Sequence, residues 1–327
     1  MNKMEQKTLI HIELLRVLSL LCVILFHSIG MLYSKFPMAE STLEGSIIKQ
    51  ISSLLVGIAV ALFMFIAGYL HKPIKRSDIR LFIKKKAMRL LIPYVLFTIL
   101  IMLSSGYFSI KSLFGGGFYH LWFLTALFWC FTISIFIDYS SKTIYFILPA
   151  SIACSMIRMP EFLGIQDFIQ WYYYFALGAI IKSHPNILNV IKRYYIGVPF
   201  ILFYIVTALF VPFQYRSPSI IYTLAISAFI LAIWGLVENF TNSINISTKI
   251  NKAIISVGRC SMGIYILHYW LLIYLLSSTS LRIFRIDQFI QKYQFLIILT
   301  IVLITFIFCD ALTMVCRKNK YGRMILG

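Results

Sequence analysis

The sequence predicts an all-α integral membrane protein: a polytopic bundle of about ten transmembrane helices with both termini in the cytoplasm. Three observations lead there. Of 327 residues, 60% are hydrophobic and 13% charged, whereas about a quarter of a soluble chain is charged. Apolar runs of the ~17–25 residues that cross a bilayer recur throughout. No polar stretch is large enough for a soluble domain, so residues 1–327 read as one membrane-embedded domain with no soluble extracytoplasmic part. Lysine and arginine are also distributed unevenly between alternate loops, as the positive-inside rule requires of short loops.

In chain order, spans are expected near 11–33, 51–71, 90–105, 119–138, 143–159, 168–182, 195–213, 219–238, 255–278 and 293–316. With the N-terminus inside, 21 of the 30 basic residues fall on the cytoplasmic side and eight outside, with Arg16 within the first span. That asymmetry supports an even number of spans and a cytoplasmic C-terminus. No repeat of fixed period is visible. The most basic segment, HKPIKRSDIRLFIKKKAMRLLIP, follows span two. Ser77 or Asp78 is placed to cap a helix, and Ile79, Phe82, Ile83 and Leu90 form a partly amphipathic face. The segment therefore reads as an interfacial helix entering span three at Pro93. Its cations Lys84, Lys85, Lys86 and Arg89 either fix topology alone or bind an anionic cytoplasmic ligand.

The formal net charge of +19 is accounted for by these cytoplasmic anchors at the lipid surface, so no nucleic-acid partner is expected. Six cysteines, Cys22, Cys130, Cys154, Cys260, Cys309 and Cys316, show no metal-ligand spacing and read as free buried thiols, with no metal and no disulfide framework. Lys3 and Lys7 precede an apolar run too long for an ordinary signal peptide, so the segment reads as a retained anchor.

Span one carries the costliest residues. Glu13, Arg16 and His27 lie within or beside HIELLRVLSLLCVILFHSIGMLY, although a charge near mid-bilayer costs about 2.5–3.5 kcal/mol or more. Eleven residues at about 100° each make nearly three turns, which puts Arg16 and His27 on one helix face roughly 16 Å apart along the axis. They attend to two ends of one elongated site or to two ligands.

Weaker signals follow. FMFIAGY places Ala67 and Gly68 where a backbone or ligand can approach closely. FYHLWFL puts His120 and Trp122 at an interface after Gly115-Gly116-Gly117, where an aromatic belt is the ordinary expectation. QWYYYFALGAI reads equally well as packing. SVGRCSMGIYILH sets Tyr265 and His268 about one turn apart.

Taken together and in order, these motifs resemble the acyltransferase 3 family of multi-pass membrane O-acyltransferases, across essentially the whole chain. The resemblance rests on Arg16 and His27 with ten residues between them, Phe63, Phe65, Gly68 and Tyr69, and the basic loop leading to Arg89 and Pro93. It extends to His120, Trp122 and Phe123, and to Gly258, Ser261, Tyr265 and His268. Ala67 stands where a serine is common, Glu13 where an aspartate is, and Met262 where an aromatic often follows the serine.

The resemblance implies acyl transfer, most often acetyl from acetyl-CoA, to a hydroxyl of a cell-surface polysaccharide or its lipid-linked precursor, in a bacterial inner or plasma membrane. Some members carry an extra extracytoplasmic domain that completes transfer; here either the membrane domain does all the work or a separate partner protein finishes it. Histidine titrates near ~6.5, so a neutral imidazole is available as general base, the role given to His27. Arg16, oriented by Glu13, is assigned to the donor together with Lys85, Lys86 and Arg89. Tyr69, His120, Trp122, Tyr265 and His268 are assigned to the cavity or acceptor. Two other classes stay open: a transporter or flippase whose intramembrane charges line a substrate path, and a membrane sensor or assembly subunit. Oligomeric state is left open.

Overall fold

The structure is a computed structural model that describes residues 3–55, 57–105, 108, 113–115, 119–140, 142–191, 194–211, 219–244, 247–277 and 286–326. Part of the Gly115–Gly117 run, and Lys111, Lys192, Arg193, Arg216, Arg282 and Arg285, lie outside those residues. All regular elements among the described residues are helical. Six are long and apolar enough to cross a membrane by length and composition: Ile10–Lys35, Leu43–Tyr69, Arg76–Ser104, Ile220–Ser243, Thr248–Leu276 and Gln294–Cys316.

Helices also occupy the other four expected stretches. Trp122–Phe136, Ile144–Ser155 and Ile196–Phe210 are apolar but short, and at about 1.5 Å per residue such lengths fall below the ~30 Å of a hydrocarbon core. Ile165–Ser183 covers the remaining stretch. One boundary differs from expectation, and one is met. Span two is broken at Gly57, whose φ of 87° lies in the left-handed region. The expected interfacial helix is continuous with span three as Ile79–Ser105, with Pro93 inside it.

The chain divides into two compact units. Unit 1 holds Met1–Leu15 and Val60–Ser247. Its helices include the N-terminal part of α1 (Lys3–Lys35), α4 (Ile58–Tyr69), α5 (Ile79–Ser105), α6 (Trp122–Ile133), α8 (Ile165–Ser183) and α11 (Ile220–Ser243). Between them α2 is Pro37–Glu40, α3 Leu43–Leu55, α7 Ile144–Ser155, α9 Pro185–Ile191 and α10 Tyr194–Phe210. In unit 1, α4 and α8 approach closely. A Cβ on Gly68 would overlap the Phe175 carbonyl, and one on Gly178 the Phe65 carbonyl. Small residues here let two backbones meet, the usual device where lipid removes the hydrophobic drive between helices.

Unit 2 holds Arg16–Ala59 and Thr248–Gly327. It comprises the rest of α1, α2 and α3 with α12 (Thr248–Ser277), α13 (Ile286–Lys292), α14 (Gln294–Cys316) and α15 (Lys320–Leu326). Gln294, wholly buried, ties α14 to α1, α2 and the turn before α3: Tyr33 Oη donates to its Oε1 at 2.9 Å, and its Nε2 donates to the Ala39 carbonyl at 2.9 Å and to Thr42 Oγ1 at 2.7 Å. Ser19 Oγ donates to the Ala59 carbonyl at 2.5 Å. These bonds hold α1 on both sides of His27. α12 in turn lies against α14, where a Cβ on Gly263 would overlap the Thr313 side chain and Arg317 Nη1 donates to Cys260 Sγ at 3.4 Å.

The cysteines are less uniform than expected. Cys130, Cys260 and Cys309 are buried and Cys22 and Cys316 half-buried, but Cys154 is exposed near the end of α7.

Candidate active site

The polar residues of α1 sort along its length. His11 and Glu13 are buried at 3% and 4% exposure in unit 1, while Arg16 and His27 are half-buried in unit 2. The His27 ring is the centre of an aromatic group. His268 lies 5.4 Å away between centroids, Tyr269 meets it edge-on at 5.1 Å, and Phe26 flanks it at 5.2 Å. His268 has 0% exposure and its ring lies 5.7 Å from that of Tyr265. Two of the sequence-predicted motifs, nearly the whole chain apart, therefore meet at one place in unit 2.

The hydrogen-bonding around His268 has a chemical consequence. Its Nδ1 lies 2.5 Å from the Tyr265 carbonyl oxygen. A carbonyl only accepts, so the neutral ring carries its proton on Nδ1 and keeps Nε2 as the basic nitrogen. A histidine with a fixed tautomer beside a second imidazole is suited to moving a proton.

Unit 1 places the remaining predicted residues in separate groups. Tyr69 lies 4.4 Å from Trp234, a wholly buried ring that also meets Phe65 at 5.2 Å and His11 at 5.1 Å. Lys182, at the end of α8, sets its Nζ 5.6 Å from the Tyr69 ring. Among the four clustered cations of the basic segment, helical geometry selects one: Lys84, Lys85 and Arg89 are exposed, but Lys86 is half-buried. Its Nζ lies 3.3 Å from the Phe131 centroid and 5.4 Å from that of Phe82. His71 packs against the same two rings at 6.1 and 6.2 Å. His120 is buried at 2% exposure, just after Tyr119, whose φ of 52° turns the chain into α6. Trp122 is half-buried and stacks on Trp171 at 5.8 Å and 23°.

Sequence reasoning passed over Tyr269, His71, Lys182, Trp234 and Trp171 as site residues. Tyr269 and His71 had a usable signal, each being adjacent to or within two residues of a chosen position; Trp234 had none, because its partners come from distant helices. Among the described residues no three His, Cys, Asp or Glu side chains gather as a metal site.

A helical membrane chain that sets a half-buried histidine against a buried one, on a span that also carries an arginine, has the makings of a membrane-embedded group-transfer enzyme. A family model described as an acyltransferase domain matches residues 9–314, nearly the whole chain, and the chain belongs to that family. It is a membrane acyltransferase. No curated protein and no solved structure matches it.

Proposed function

We propose that the protein transfers an acyl group, acetyl from acetyl-CoA, to a hydroxyl of a cell-surface polysaccharide or its lipid-linked precursor. The observation that carries the reading is the contact of His27 with His268 and Tyr269, on the helix that also bears Arg16. The acceptor hydroxyl gives its proton to the His27 imidazole as its oxygen attacks the thioester carbonyl. The tetrahedral intermediate collapses, the C–S bond breaks, and the imidazolium returns the proton to the departing thiolate, leaving an ester and free CoA. General-base assistance of this kind contributes about 10²–10⁴ in rate. His268, with Nδ1 engaged by Tyr265, orients or relays the proton. Arg16 binds an anionic part of the donor, a role the reading also gives to Lys85, Lys86 and Arg89.

The reading takes ten crossings, both termini cytoplasmic, a bacterial inner or plasma membrane, and a carbohydrate acceptor. Purified protein with labelled acetyl-CoA and envelope glycans tests it. Ester formation is expected; uptake of substrate into vesicles without modification would instead identify a transporter.

A further inference from the structure

At the end of unit 1 where α6 and α8 begin, an aromatic stack lies near a carboxylate in the first turn of α8. Trp122 and Trp171 are both half-buried and lie nearly parallel, 5.8 Å apart at 23°. Trp171 also meets Tyr174 at 5.8 Å. Asp167, Trp171 and Tyr174 stand at i, i+4 and i+7 on α8, so they share one face of the helix, with Asp167 one turn above the stack. Asp167 is half-buried, yet among the described residues it makes no hydrogen bond and no ion pair. Burial, and secondarily the charge of Glu161, pushes its carboxyl up to about 6. A partly desolvated carboxylate without a donor is costly unless a ligand supplies one.

The local backbone holds this arrangement rigidly. Leu163 and Gly164, at φ 49° and 71°, turn the chain left-handed into α8. Trp129 Nε1 donates to the Leu163 carbonyl at 2.9 Å, and a Cβ on Gly164 would overlap Thr125. Belt aromatics are enriched at the membrane interface; here two indoles also stack on each other, one turn from an acid. The outer face of a half-buried indole stack can accept the C–H face of a pyranose, and a carboxylate takes strong charge-assisted bonds from hydroxyls.

We infer that Trp122, Trp171 and Asp167 form a sugar-ring subsite that holds the carbohydrate acceptor. The inference rests on the acyl-transfer reading for its purpose but is tested apart from it. Full-length protein in nanodiscs is titrated with de-esterified envelope polysaccharide from the producing strain, with no acyl donor present, and intrinsic tryptophan fluorescence is followed. Saturable binding by the wild type is expected, with at least a tenfold loss of affinity in Trp171→Ala and Asp167→Asn. Trp171→Phe, which keeps a ring, should recover most of it, and Trp270→Phe in unit 2 should bind as wild type. In the transfer assay the same two variants should raise the acceptor KM without changing the donor KM. Absence of saturable binding by the wild type, or unchanged affinity in both variants, overturns the subsite. Binding lost in the variants while the wild type forms no ester overturns the acyl-transfer reading and leaves the subsite standing.

Discussion

Gly68 and Gly178 face opposite backbones at one helix crossing. A Cβ on the first would overlap the Phe175 carbonyl and one on the second the Phe65 carbonyl. Overpacking of a close contact costs about 1–3 kcal/mol and often more. Gly68→Val and Gly178→Val are therefore expected to lower the thermal unfolding midpoint in detergent or to abolish folded yield. Gly30→Ala is the comparison, since a Cβ there meets nothing within 4 Å; equal midpoints for all three would refute the packing account.

The Gln294 network predicts a second stability effect. Gln294→Leu removes one donor from the buried Ala39 carbonyl, which Thr42 Oγ1 still serves at 2.9 Å, and the 2.9 Å acceptor of Tyr33 Oη, which then has the Gly45 carbonyl at 3.4 Å. Each lost bond is worth about 0.5–1.5 kcal/mol net. Tyr33→Phe, which removes one of these bonds and keeps the others, should cost less than Gln294→Leu. Denaturation midpoints for the two variants check the order.

Acid should weaken unit 1 through His71. Burial, followed by the positive charge of Lys86, holds its imidazole down at about 4 against 6.5 for a free histidine. Between those values the unfolded chain binds more protons than the folded one, so this contribution is complete above pH 6.5 and is lost as pH falls towards 4. His71→Phe should show a shallower decline of the unfolding midpoint across that window than the wild type. Parallel declines would show that His71 does not contribute.

Lys86 and Lys85 are neighbours in sequence but not in setting, one packed over Phe131 and the other exposed. Lys86→Met is expected to raise the KM for acetyl-CoA about tenfold, the equivalent of ~1.4 kcal/mol, with little change in kcat. Lys85→Met should change it less than twofold. Steady-state kinetics of both variants make the comparison.

Much of this was legible beforehand because a membrane simplifies the signal. Long apolar runs marked every helix that the structure contains at a predicted span, and the Arg16–His27 interval could be read from helical periodicity alone. His268 was identified through its motif, but its contact with His27 depends on how two helices distant in sequence pack, which periodicity does not encode. The same limit hid Trp234. The choice of Lys86 over Lys84 and Lys85 needed the direction of the α5 face. Gly68 was recognised as a close-approach residue; only packing shows that its neighbour is the α8 backbone.

The central claim is that His27 performs the proton transfer. The most direct measurement is incorporation of labelled acetyl into envelope polysaccharide by membranes carrying equal amounts of wild-type protein or His27→Ala. The account predicts correct insertion and a loss of at least 10²-fold in transfer rate. Wild-type incorporation by the His27→Ala variant would contradict it.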